Sequence, residues 1–331
     1  MRRVKSLLPL PLLLAAAVFS AAPAAEILPL PAHARRVIFL GDSITYSGAY
    51  VDTLEAAFRA GHPGRAVEFI NLGLPSETVS GLSEPGHASG QFPRPTVHER
   101  LDRVLAKAKP DLIVACYGMN CGMYYPLSDE RFAKYREGME LLRKKAAAAG
   151  AKVVHITPPV FDPVPIKART LPDGLPEYKQ PFEGYNTVLD RYSEWLVAQR
   201  AQGWVVVDAH FPMAKFLAAE RERDPAYKLA GDGVHINATG HWLIAREVLR
   251  AFKAPEDKLA EPKDGASFLA SIHPRGADLF KLIAQRQAVM KDAWLNECGH
   301  LRPGMKKGLP VTEAQVKWAE LETKIAEVAR R

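Results

Sequence analysis

The sequence predicts an α/β protein in which a parallel sheet is covered by helices on both faces, with a helical extension behind it. Three observations carry this. Near-continuous apolar runs of strand length recur at 36–40, 66–72, 111–117, 152–157 and 204–208. Helical patterns separate them, near 49–60, 97–108, 129–148, 183–202 and 239–252. Strands that are apolar throughout, alternating with amphipathic helices, belong to parallel sheets buried on both sides. The third observation is the abrupt end of the first run at Gly41-Asp42-Ser43, where a helical pattern takes over within a few residues. That is a strand, a tight turn and a helix start. There is no internal repeat, and about 220 residues of this alternation fit one domain with a sizeable core.

In chain order, residues 1–24 read as a signal peptide rather than as fold. Met1-Arg2-Arg3-Val4-Lys5 is a basic start, Leu7 to Phe19 is apolar but short for a bilayer, and Ala22-Pro23-Ala24 is a small-residue cleavage site. Cleavage near Ala24 would remove Arg2, Arg3 and Lys5 and lower the formal net charge from +7 to about +4. The expectation is therefore an exported protein, periplasmic or secreted, without stable membrane insertion. Forty-four basic and 37 acidic residues are interspersed, with no basic run among aromatics, so nucleic acid is not an expected partner.

Residues 25–254 form the predicted catalytic domain. In the first unit, Ser43 falls at the carboxyl end of a strand, where open α/β sheets place their ligand crevice. Its backbone N–H is a free donor at a helix N-terminus. Asp42 reads as a turn or capping residue. The second run ends at Asn71-Leu72-Gly73-Leu74, where Gly73, lacking a Cβ, lets its N–H approach a ligand. The third ends at Tyr117-Gly118-Met119-Asn120, where Asn120 can aim its amide into the crevice. Two long loops, 83–96 and 158–182, are rich in proline, and loops of that length in a compact domain are usually functional or disordered. On the first of them, His87, Arg94 and His98 are candidates to touch substrate. His155 reads as a core histidine, Asp208 and His210 as part of a strand-to-helix turn, and His241 as packing or surface.

Gly231-Asp232-Gly233-Val234-His235 precedes a helix capped by Asn237 or Thr239. The spacing lets Asp232 bend back to the imidazole Nδ1 of His235, leaving Nε2 to take a proton from a serine. Ser43, His235 and Asp232 thus make a nucleophile, a base and an orienting carboxylate. The Ser43 N–H, Gly73 N–H and Asn120 amide make an oxyanion hole. No HExxH, P-loop or GxGxxG occurs, so no metal or other cofactor is expected.

These four pieces in this order, Gly-Asp-Ser, Gly, Gly-x-Asn and Asp-x-x-His, resemble the blocks of the SGNH, or GDSL, hydrolase family over about residues 35–253. The resemblance implies a flavodoxin-like three-layer α/β/α domain with a five-stranded parallel sheet. It implies a serine esterase in which Ser43, Asp232 and His235 are catalytic and Ser43, Gly73 and Asn120 hold the oxyanion. Cys121 stands where many members have aspartate after the asparagine. The loops carry no greasy lid helix, which favours short acyl groups, acetyl above all, on a polar scaffold such as a polysaccharide. A periplasmic O-acyltransferase with the same residues and a catalytically dead carbohydrate-binding protein are the alternatives.

Residues 255–331 are a linker, from Pro255 to Pro262, and a helical C-terminal extension with helices at 276–297 and 311–330. Leu279, Ile283, Arg286, Met290, Trp294 and Leu295 form a stripe that needs a surface to bury against. His300 and Arg302 read as tail-docking residues, with the rim of the cleft the alternative place for their turn. The chain has three cysteines, so one disulfide is possible, with Cys121–Cys298 the candidate pair, and none is required.

Overall fold

The computed structural model describes residues 30–330. The expected signal peptide, with its cleavage site near Ala24, lies outside the described residues. The chain runs β1 (Arg36–Gly41), α1 (Ser43–Ser47), α2 (Ala49–Gly61), β2 (Glu68–Asn71), α3 (Val97–Ala108), β3 (Leu112–Cys116), α4 (Asp129–Ala148) and β4 (Lys152–Ile156). It continues through α5 (Tyr185–Ala198), β5 (Val205–Val207), α6 (His210–Arg223), α7 (Ala238–Ala251), α8 (Glu256–Leu259), α9 (Gly265–Ile272), α10 (Gly276–Cys298) and α11 (Val311–Ala329).

The five strands are parallel in the order β2-β1-β3-β4-β5. Ile38 of β1 pairs with Ile70 on one side and Ile113 on the other, so the centre of the sheet is apolar on both faces. The chain leaves β1 toward β2 and then returns to the other side at β3. The gap between the carboxyl ends of β1 and β3 is therefore the topological switch point, where such sheets open a crevice. Gly41 makes the turn there possible. A Cβ on it would lie 2.1 Å from Thr45 Oγ1 and 2.7 Å from the Cys116 carbonyl.

Three features differ from the sequence reading. The helix expected over 183–202 is α5 followed by a 3₁₀ turn at Gln199–Gln202. The strand-to-helix turn at Asp208 and His210 leads into α6, whose extent no helical pattern marks. Asp208 starts it by accepting the N–H groups of His210 (3.1 Å) and Phe211 (3.2 Å), and it buries only His210, Met213 and Leu217. So narrow a stripe, with Pro212 in the first turn, gives a weak helical period. The stretch expected as a linker after Pro255 contains α8, and α9 follows it.

The extension packs on the domain. Helix α10 lies along α2 and the edge strand β2, burying Leu279, Ile283, Met290, Trp294 and Leu295. Gln287 Nε2 donates to Glu55 Oε2 of α2 (2.7 Å) and to the Phe69 carbonyl of β2 (2.8 Å). Arg286 is paired with Glu55 of α2 and Glu322 of α11. An exposed edge strand is a template for unwanted pairing, and α10 covers this one. All three cysteines are free and buried, so the candidate Cys121–Cys298 bridge is not formed. Cys121 sits against Val79 and Ser80, whereas the Cys298 carbonyl accepts from Arg103 of α3 at 2.8 Å.

Candidate active site

The switch point brings together residues that the sequence separates by almost two hundred positions. Asp42 caps α1, its carboxylate accepting the Ile44 N–H at 2.9 Å. Burial pushes that carboxyl up to about 6, against the opposing hydrogen bond from Ile44. Ser43 follows as the first helical residue, and among the described residues its N–H has no hydrogen-bond partner.

His235 reaches Ser43 from the loop before α7, with Nε2 2.8 Å from the serine Oγ. Its Nδ1 lies 2.6 Å from Asp232 Oδ2, while Asp232 Oδ1 also accepts the N–H groups of His235 (2.8 Å) and Val234 (3.0 Å). Burial raises the Asp232 carboxyl, but these three hydrogen bonds outweigh it and hold the group below the usual carboxylate range. An ionised Asp232 fixes the proton on Nδ1 and leaves Nε2 to accept the Ser43 hydroxyl. The loop is anchored at both ends. Asn237 N–H donates to the Leu229 carbonyl (2.7 Å), and the Gly233 carbonyl accepts the Asp162 N–H (2.9 Å).

Asn120 lies on the cleft wall. Its Nδ2 donates one hydrogen to the Glu77 carbonyl (3.2 Å), and its Oδ1 accepts from Tyr124 OH (2.9 Å), so the amide's orientation is set and a second N–H remains. Tyr124 is delivered by unusual backbone: Met123 and Tyr124 have φ of 58° and 60°. Two successive non-glycine residues in the left-handed region carry strain of the kind found at functional sites. Gly73 does not sit as expected. Its N–H donates to Asn71 Oδ1 at 2.9 Å, and its missing Cβ makes room for α1, since that atom would lie 2.3 Å from the Tyr46 nitrogen. The same Asn71 donates to the Thr45 carbonyl at 2.7 Å, tying the end of β2 to α1. Gly73 thus braces the helix that carries Ser43.

A buried ion pair supports the far wall. Arg100 of α3 donates to both oxygens of Glu77 (2.6 and 2.8 Å) and to the Leu72 carbonyl (2.6 Å), while Tyr117 OH donates to Glu77 Oε2 (2.6 Å). Burial alone would lower Arg100, and the Glu77 charge reverses this and holds it above its ordinary value. Glu77 and Arg100 were missed in the sequence because nothing local signals a partner 23 residues away.

Ser43, His235, Asp232 and Asn120 line a cleft of about 370 Å³ that also takes Arg94 from the first long loop and Arg302 from the extension. Arg94 is held by both oxygens of Glu84 at 2.7 Å. A second cavity of about 520 Å³ adjoins it, sharing Tyr124 and Pro181 and lined by Tyr125, Tyr178, Glu84 and Glu177. The other candidate histidines lie elsewhere. His98 bonds to the Val79 carbonyl (3.1 Å) and His87 turns to Glu84 (3.3 Å). His210 is buried between Asp190 (2.6 Å) and the Pro158 carbonyl (3.0 Å), and His241 packs against Ser47 (2.9 Å). Among the described residues no group of His, Cys, Asp and Glu is arranged to hold a metal ion, and no helix is long and apolar enough to cross a membrane.

Parallel sheet, switch-point cleft and hydroxyl-imidazole-carboxylate chain together define an SGNH-type ester hydrolase. The chain belongs to the GDSL-like Lipase/Acylhydrolase family, which matches residues 39–243. No curated protein matches the sequence. Among solved structures it is similar to a gut microbial diltiazem-metabolizing enzyme, at 18% identity and a TM-score of 0.51 over 69% of this chain and 48% of that one. The chain thus spans about half the length of that enzyme. It is also similar to an acetylxylan esterase from Geobacillus stearothermophilus, at 19% identity and a TM-score of 0.46 over 67% of this chain and 95% of that one. At these values only the first bears on this chain, and only on its fold.

Proposed function

We propose that the protein is an exported serine esterase that removes short acyl groups, acetyl above all, from carbohydrate esters. The observation that carries the mechanism is the continuous chain from Ser43 Oγ through the His235 ring to Asp232 on an open cleft. Ser43 attacks the ester carbon as its proton passes to His235 Nε2. The oxyanion forms against the Ser43 N–H and the free N–H of Asn120. Collapse expels the alcohol, which takes the proton from His235, and leaves acyl-Ser43. A water then gives a proton to His235 and attacks the acyl carbon, and the acid is released as the bond to Ser43 Oγ breaks and Oγ takes that proton back. Gly73 N–H is spent on Asn71, so two donors rather than three carry the oxyanion in this reading.

The preference for short acyl groups rests on the small cleft beside Ser43, walled by Pro75, Pro181 and Val234. The carbohydrate rests on the adjoining cavity, where the rings of Tyr124, Tyr125 and Tyr178 offer apolar faces and Glu177 and Gln180 offer polar edges. Export rests on the N-terminal sequence pattern. Half-exposed His235 and Asp232 give water access to the acyl-enzyme, which favours hydrolysis over transfer.

The test is turnover of p-nitrophenyl esters of increasing chain length, with free acetate measured in the presence of an acceptor glycan. The acetate ester should have the highest kcat/KM and release acetate. Ser43→Ala should abolish turnover while shifting stability by less than about 1 kcal/mol, because the lost hydrogen bond is to a half-exposed ring. Acetylated glycan without free acetate would overturn the hydrolase reading, and a preference for long chains would overturn the short-acyl one.

A further inference from the structure

Of the two arginines on the cleft wall, one is compensated and the other is not. Asp232 is paired with His235, and Arg94 with Glu84. Arg302 alone lines the cleft without a carboxylate partner among the described residues; its Nη1 donates to the Pro303 carbonyl (3.0 Å) and to Met305 Sδ (3.1 Å). Its Nε is enclosed and has no hydrogen-bond partner, and its guanidinium lies 5.2 Å from the ring centre of Phe92, on the first long loop. The loop that carries it is held in place. Arg103 of α3 donates to the Cys298 (2.8 Å) and Gly299 (3.3 Å) carbonyls where the loop leaves α10. Gly308, where it returns, lies so close to α10 that a Cβ would sit 2.1 Å from the Asp292 carbonyl.

We propose that Arg302 is a substrate-binding residue that selects esters bearing a carboxylate or other fixed negative charge on the alcohol part. With Nε enclosed and Nη1 engaged, the Nη2 hydrogens and the guanidinium charge are what a partly dry cleft wall offers to an anion. An ion pair formed there is screened less than one at an open surface. The carbohydrate of the proposed function is, on this view, an acidic one. The inference rests on that esterase reading for its orientation, since the acyl group must lie at Ser43 for the alcohol to face Arg302.

The experiment compares phenyl acetate, which is neutral, with 4-acetoxybenzoate, its carboxylate analogue, on wild type, Arg302→Lys and Arg302→Gln. Intrinsic reactivity cancels in the ratio of the two kcat/KM values across variants. The ratio should fall at least tenfold in Arg302→Gln, mainly through KM, and be largely retained in Arg302→Lys. Titration with benzoate and with benzyl alcohol, followed by calorimetry, reads the same site without chemistry. Benzoate should bind wild type more tightly, and Arg302→Gln should remove the difference. A ratio that is the same in all three proteins, or benzoate binding equal to that of benzyl alcohol, overturns the proposal. Wild type that turns over neither ester but binds benzoate through Arg302 would overturn the short-acyl reading and leave the anion site standing.

Discussion

Asp232 illustrates how one side chain can set the state of another. Three hydrogen bonds keep it ionised, and that ionisation keeps the His235 proton on Nδ1. Asp232→Asn preserves shape but favours the tautomer that points a proton at Ser43. It should lower kcat by about 10⁴-fold, less than the loss in Ser43→Ala, with the thermal midpoint little changed; wild-type kcat in this variant would remove Asp232 from the mechanism. His155 shows the opposite case, a titratable group the fold keeps neutral. It stacks on Trp204 at 4.8 Å, neither ring nitrogen has a partner, and burial, with Arg143 nearby, lowers it to about 3. Between pH 3 and 6.5 the unfolded chain binds a proton here that the folded chain refuses. The stability this site contributes is therefore complete above about pH 6.5 and is lost as pH falls toward 3. His155→Phe keeps the stacking and removes the proton, so between pH 7 and 4.5 it should lose roughly 3 kcal/mol less than wild type in urea unfolding. Equal losses would show that His155 is not held neutral. Residues whose chemistry lies in local spacing, such as Asp232 and His235, were legible in the sequence. Glu77 and Tyr124 were not, since their roles come from partners or cleft walls supplied by distant parts of the chain.

The same distinction holds for whole elements. β1 and β3 were legible because both faces are buried and the runs are apolar throughout. The extent of helix α6 was not, because it buries only three residues while apolar side chains such as Phe211, Ala218 and Ala219 lie off that stripe and blur the period. Nor could the sequence show how the elements bearing Asn120 are braced. The Glu77–Arg100 pair joins the loop after β2 to α3, and through Tyr117 and the Glu77 carbonyl it reaches the loop after β3. Both side chains are almost fully buried, so removing one charge strands the other. Glu77→Gln should cost about 3–5 kcal/mol in urea unfolding. The folded fraction should also lose kcat as Asn120 shifts. The double change Glu77→Gln with Arg100→Met should recover part of the stability, because no buried charge is left unpaired. A double variant no more stable than the single one would mean that the pair acts through packing rather than charge.

At the scale of the molecule, the extension is part of the enzyme's architecture in two separable ways. The apolar stripe of α10 predicts a structural role, with the His300–Arg302 turn as a candidate for the cleft rim. The structure adds a second connection, because α10 also grips the helix that bears Ser43. Lys291 Nζ donates to the Tyr46 carbonyl at 2.7 Å, and Tyr46 OH donates to Asp292 Oδ1 at 3.1 Å. Removing everything after Pro255 would therefore strip the cover from α2 and β2 and loosen α1 at once, and its effects could not be told apart. Helix α11 offers a cleaner cut. It packs on α10 and α2, away from the cleft, and its Glu322 pairs with the buried Arg59 and Arg286. A chain ending at Leu309 keeps α10 and Arg302 but leaves Arg59 without that carboxylate and Arg286 with Glu55 alone. The stranded charge and lost burial should cost about 3–5 kcal/mol and lower the thermal midpoint by roughly 5–15 °C. Turnover of phenyl acetate per folded molecule should stay within about twofold at 25 °C, since nothing from α11 reaches Ser43. An unchanged midpoint would mean that α11 does not dock in solution, and a large loss of turnover at an unchanged midpoint would mean that the extension supports the site through α11 as well as α10.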